Sequence, residues 1–385
     1  MGVIVSTYST LLSQFAAARI GRDAMADWMV VAAIPLRDWA IQAEPGWGVV
    51  LAGILFHQWA DFTWAVLFFG LLQRWTAQLR PRTLALIAAP WALFTSGIEW
   101  LLLVPVLPFA QPIFTLNQPY WIGAMVHVSS AALYPLFPYL RDWMANRRPS
   151  PHRRVAAAWA GGAMVVAAGL GLLAFLGTQD REWPPHPGRN VEFDQAYMRR
   201  MAAHHAQGIE LGLIAVERAE DPHLRALARL IVANQKGETE IFASWWRSWF
   251  EGALPQATPE DHATMPGMLR PEDLAELAQL PAGSFDARFI ALMTFHHQGA
   301  IAMADEAIRE AGTIRLRLMS HAIRHAQRGE IELMQGREGF GATRAAIANM
   351  LRPAGEVLAD GALGAERPPR ALSGLQEAPA AGHLH

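Results

Sequence analysis

Cysteine is absent from the 385 residues. That excludes disulfides, thiolate metal sites and cysteine nucleophiles, and leaves Met and His as the only soft metal donors. Charge is scarce too. Only 17% of residues are charged while 52% are hydrophobic, a balance that places part of the chain in a bilayer. Lysine is nearly missing, with Lys236 alone. The formal charge of −2, without an Arg-rich face interleaved with aromatics, argues against nucleic acid as a partner. No nucleotide-binding loop and no evident nucleophile is found, which weighs against an enzyme.

What is present falls into two halves. Residues 1–47 carry Arg22, Asp23, Asp27, Arg37, Asp38 and Glu44, too many charges for a span, and read as an amphipathic interfacial segment. Val3 to Ile20 lacks the basic start and cleavage site of a signal peptide. A four-span transmembrane region is expected over 48–177, from apolar runs at 48–73, 83–107, 119–140 and 155–177. Each is long enough to cross a hydrocarbon core of about 30 Å. The first and third connecting loops carry Arg74, Arg80, Arg82 and Arg141, Arg147, Arg148, Arg153, Arg154, and the second carries no charge. The positive-inside rule then predicts a multi-pass cell-membrane protein whose C-terminal domain is extracytoplasmic. Four ionisable residues fall inside the runs: His57, Asp61, Glu99 and His127. Such groups are costly in a bilayer, so they read either as one intramembrane site, for an ion or more weakly for haem, or as interhelical hydrogen bonds.

A Pro-rich stretch at 178–190 reads as a stiff spacer. After it the chain repeats itself. Phe193-Asp194 and Met201-x-x-His204-His205 return as Phe285-Asp286 and Met293-x-x-His296-His297. Gln235-x-Gly237-Glu238 returns as Gln327-x-Gly329-Glu330 at the same offset. This is an internal duplication of one supersecondary unit. Each copy reads as helix, turn, helix, so 191–335 is expected to be a four-helix bundle of two duplicated hairpins. Residues 336–385 read as a short helix and a disordered tail, in which His383 and His385 are incidental. The predicted fold class is therefore all-α throughout.

On a helical period Met201, His204, Met293 and His296 face the bundle interior, with Gln235, Glu238, Gln327 and Glu330 on the partner helices. So polar an interior is tolerated when its groups are paired or hold a metal. One reading is a metal-free structural bundle, each Glu bonded to a His and each Gln filling a remaining valence. The other is a metal site, favoured because Met precedes a His pair in both copies and because His262-x-x-Met265-Pro266-Gly267-Met268 lies between them. Thioether and imidazole without thiolate suit copper, Cu(I) or Cu(II). Iron is disfavoured, because a di-iron bundle normally uses four Glu and only Glu238 and Glu330 are available. A ferritin-like metal-dependent oxidase is the enzymatic alternative.

Over 191–334 these residues resemble the bacterial domain-of-unknown-function 305 family, through Phe285-Asp286, Met293-x-x-His296-His297-Gln298-Gly299-Ala300, Met265-Pro266-Gly267-Met268 and the Gln-x-x-Glu pairs. The resemblance implies a ferritin-like bundle and an extracytoplasmic copper-binding role in copper handling or tolerance. It implies His204, His205, His296 and His297 as ligands, with Met201, Met293, Met265 and Met268 as soft ligands and the Gln and Glu residues behind them. The first copy departs from the pattern, with His205-Ala206-Gln207-Gly208. The membrane half lies outside the resemblance.

Overall fold

The computed structural model describes residues 1–104, 112–355 and 368, and every regular element among them is helical. Most of the Ala/Gly/Pro tail, with His383 and His385, lies outside these residues, as does the end of the second apolar run. The N-terminal half is built from α1 (Gly2–Ala16), α2 (Ala24–Leu36), α3 (Trp47–Val66), α4 (Pro81–Ile98), α5 (Ile113–Asn117), α6 (Tyr120–Ala131), α7 (Phe137–Met144) and α8 (Arg153–Thr178). π-turns extend α3 to Leu71 and α4 to Leu103.

Three helices among the described residues are long and apolar enough to cross a membrane: Trp47–Leu71, Pro81–Leu103 and Arg153–Thr178. The run at 119–140, expected as an unbroken span, is divided between α6, a 3-10 turn at Tyr134–Leu136, and α7. Pro135 and Pro138 withhold two backbone N–H donors there and stop the helix. Large apolar side chains such as Leu55, Trp59, Leu86, Phe94, Val165 and Phe175 stay exposed along the three long helices. That is the surface a hydrocarbon solvent would cover.

Residues 1–47 do not form the expected amphipathic surface segment. α1 packs among α3, α6 and α8, while α2 lies between α3 and the C-terminal bundle. Met29 and Val30 on α2 have no exposed surface. The charges that argued for an interface are satisfied internally. Arg22 Nη2 donates to Asp27 Oδ1 at 2.6 Å, and Asp23 Oδ1 caps α2 by accepting from Met25 N at 2.6 Å. The stretch 178–190 is likewise pinned rather than free. Arg19 and Arg315 both donate to the buried carboxylate of Glu182, the second at 2.6 Å.

The C-terminal half holds two antiparallel hairpins, α9 (Val191–Arg218) with α10 (Pro222–Trp249), and α13 (Ala282–Glu310) with α14 (Ile314–Met334). Between them run α11 (Pro259–Thr264) and α12 (Pro271–Gln279), and α15 (Gly339–Leu351) packs on α14. The repeated Asp after Phe explains how the hairpins lock. Asp194 Oδ1 accepts from Gly312 N at 2.9 Å, in the turn of the other hairpin. Asp286 returns the favour, accepting from Glu220 N at 3.0 Å and Asp221 N at 2.9 Å. Each hairpin thus supplies the turn partner its twin lacks. One apolar core runs from Ile34, Trp100 and Leu116 into Leu227, Leu230 and Phe289, joining the two halves.

Candidate metal centre

Each histidine pair sits mid-helix, on α9 or α13, and all four rings are fully buried. The first member of each pair meets its twin. His204 and His296 have ring centroids 3.9 Å apart where α9 crosses α13. Both give Nε2 to backbone carbonyls: His204 to Pro266 O at 3.1 Å, His296 to His204 O at 3.1 Å. Their Nδ1 atoms have no hydrogen-bond partner. The second member turns to the partner helix. His297 Nε2 hydrogen-bonds Glu330 Oε2 at 2.7 Å. His205 Nε2 lies 2.8 Å from Glu238 Oε2 but without hydrogen-bond alignment, so the first copy is the looser one.

Burial decides the protonation of the central pair. Desolvation, reinforced by the neighbouring His205, holds His204 at about 3, far below the ordinary imidazole value. His296 is likewise pushed well down, by burial first and by His204 next. Both rings are therefore neutral at physiological pH and have lone pairs to offer.

Gln235 and Gln327 separate the two readings of this interior. In a self-satisfied network their amides would complete the remaining valences. Instead both ends of both amides are buried without partners. Gln235 lies beside the His296 ring, since a Cβ built on Gly208 meets Gln235 Oε1 at 2.2 Å and His296 Cε1 at 2.9 Å. The two Nδ1 atoms and both ends of the Gln235 amide, all unpartnered at one helix crossing, are a costly arrangement without a ligand.

The thioethers divide. Met201 and Met265 are buried in one core cluster, with Met268 packed at its edge. Met293, fully buried, belongs to the other cluster. The Met265–Met268 loop lies over the central pair, because Gly267 (φ +75°) and Gly299 let the backbones touch; a Cβ on Gly299 would stand 2.1 Å from Pro266 O. Among the described residues no three His, Asp or Glu side chains converge tightly enough to hold an ion alone. The carboxylates are engaged by His205 and His297. An ion at the crossing would therefore take the His204 and His296 imidazoles with thioether or amide donors, a set that the orphaned Nδ1 atoms and the buried methionines fit.

In the membrane half His57 Nε2 lies 3.6 Å from Asp61 Oδ2, and His127 Nε2 lies 3.4 Å from Glu99 Oε2. Both pairs line one cavity. Three features went unnoticed in the sequence. Ser9 donates to Asp61, Trp64 Nε1 donates to Glu99 at 2.9 Å, and His325 is buried in α14. Ser9 and Trp64 carry no sequence signal. His325 stands two residues before Gln327 and therefore off the interior stripe, on the side of α14 that meets Arg22 and Thr115, so the stripe did not point to it.

Helix, fold and site together define a duplicated helical-hairpin bundle with a histidine core. The profile of the family described as "Domain of unknown function (DUF305)" matches residues 194–337. Three solved structures are similar to it. A DUF305 protein from Streptomyces coelicolor is 26% identical, covering 37% of this chain and 89% of its own, with a TM-score of 0.34. A DUF305 fragment from Deinococcus radiodurans is 29% identical over 40% of this chain and 97% of its own, with a TM-score of 0.35. CopM in the Cu(I)-bound form is 29% identical over 37% and 93%, with a TM-score of 0.32. No curated protein matches the chain.

Proposed function

We propose that the protein is a membrane-anchored copper-binding protein whose extracytoplasmic bundle takes Cu(I) at the α9–α13 crossing. The observation that carries this reading is the close, tilted, neutral His204–His296 pair, with unpartnered Nδ1 atoms and the unpartnered Gln235 beside it. Neutral imidazole and thioether are the donors that soft Cu(I) selects in a chain without thiolates. Met201, Met265 and Met268 in one apolar cluster and Met293 in the other are the candidate thioethers. His205–Glu238 and His297–Glu330 then act as the carboxylate–histidine supports that orient the neighbouring turns. A bound ion would supply charge and coordination; holding and releasing it is the activity proposed, rather than oxidation.

Orientation follows from charge and contact. Arg141 on α7 donates to Ala77 O, which brings the first and third arginine-bearing loops together. On the other side α5, from the uncharged loop, packs on α14 of the bundle. This arrangement supports a cytoplasmic arginine face and a bundle on the opposite side of the bilayer. Competitive Cu(I) titration of the untagged chain tests the reading. His204→Ala combined with His296→Ala is expected to weaken binding by more than about 100-fold, the upper end of what losing a supporting contact alone costs. Unchanged affinity in that variant overturns it.

A further inference from the structure

The cavity in the membrane half is unconnected with the copper reading. It measures about 210 Å³ and lies between α1, α2, α3, α4 and α6. Its ionisable groups are two histidine–carboxylate pairs, His57 with Asp61 and His127 with Glu99, and the carboxylate of Asp27. Asp27 is neutralised by Arg22 and held by Gln118 Nε2 at 2.8 Å. Asp61 and Glu99 have no such cation. Asp61 uses Oδ2 for both His57 and Ser9, and Glu99 uses Oε2 for both His127 and Trp64. No described residue hydrogen-bonds the second oxygen of either carboxylate. The remaining wall is aromatic and aliphatic, with Trp28, Phe56, Trp100 and Phe114 prominent.

This lining discriminates among ligands. Neither Arg nor Lys lines the cavity, so an anion finds no partner. A bare metal ion finds no three converging donors. Protons on the imidazoles would balance charge yet leave the apolar volume unfilled. An uncharged hydrocarbon would fill it but leave the buried Asp61 and the half-buried Glu99 uncompensated, which is expensive in a bilayer. A cation with an apolar body satisfies both demands, since its ammonium meets the free carboxylate oxygens and aromatic faces add cation–π attraction. A cavity of roughly 150 Å³ already holds a benzene ring, so this one admits a ring with a short charged arm.

We infer that this cavity is a binding site for an organic ammonium ion with an apolar body, held by Asp61 and Glu99. The test uses the full-length chain in phosphatidylcholine nanodiscs and benzylammonium as probe, with benzyl alcohol and benzoate as neutral and anionic counterparts. Saturable benzylammonium binding is expected, about tenfold or more tighter than benzyl alcohol, the worth of one charged hydrogen bond. Benzoate should not bind. Asp61→Asn and Glu99→Gln, which keep shape and the Ser9 and Trp64 contacts, should each weaken benzylammonium about tenfold while copper uptake by the bundle reports an intact fold. Adding phosphatidylethanolamine to the discs separates two sources of the same chemistry: competition assigns a lipid headgroup, its absence a free amine. The inference is overturned by no saturable benzylammonium binding, by equal binding of the alcohol, or by indifference to both substitutions. The three-ligand comparison on the unsubstituted protein decides the matter even where a variant fails to fold.

Discussion

Single histidines set the pH behaviour of the bundle. Burial lowers His204 to about 3 and His325 to about 3, from an ordinary 6.5. Below pH about 6.5 the unfolded chain takes up protons that the native rings refuse, so the unfolded state is favoured progressively as pH falls towards 3. Stability from these rings is therefore complete above pH about 7 and lost on acidification. Thermal unfolding of the solubilised chain should show Tm falling steadily below pH about 6.5; a Tm that rises with acid contradicts the neutral-core account. His204 and His296 were legible in the sequence because their spacing places them on the interior stripe. Their close approach was not, since it depends on where α9 crosses α13.

Helix by helix, the duplicated unit was readable and the rest less so. The repeat spacing gave both hairpins, and Asp221-Pro222 and Gly312 marked their turns. The cross-capping by Asp194 and Asp286 could not be read, because each partner lies in the other copy. Asp286→Ala removes two hydrogen bonds to solvent-exposed turn N–H groups and should cost about 0.5–1.5 kcal/mol of stability. It should leave copper affinity unchanged below the transition, and thermal unfolding beside a Cu(I) titration checks both. Gly299→Ala should lower both stability and copper affinity. Its Cβ collides with Pro266 O, so the Met265–Met268 loop must lift from the central pair. A loss of about 1–3 kcal/mol from overpacking is expected, together with weaker Cu(I) binding; full affinity in Gly299→Ala would remove that loop from the site. In the N-terminal half the sequence missed the break in the third apolar run, because hydropathy ignores the two missing donors at Pro135 and Pro138. It also misplaced α2, whose charges looked like surface until Arg22 met Asp27 inside.

For the whole molecule, the shared core between halves means the bundle is seated on the long apolar helices rather than tethered apart from them. Glu182, clamped by Arg19 of the first segment and Arg315 of the bundle, reinforces that seat from the side. Orientation is checked with reporters fused at truncation points. Fusions ending at Asn117 and Phe340 are expected to behave as exported and one ending at Arg148 as cytoplasmic, by the arginine asymmetry. The reverse pattern would reject the orientation.

The central claim concerns the ligands of the ion, and the missing cysteine makes it unusually direct to test. In this chain sulphur bound to copper can come only from methionine. X-ray absorption of the Cu(I)-loaded protein is predicted to show imidazole nitrogen and sulphur together in the first coordination shell, with the nitrogen contribution reduced in the His204→Ala, His296→Ala variant. A shell of nitrogen and oxygen alone, or a spectrum the double variant leaves unchanged, would contradict it.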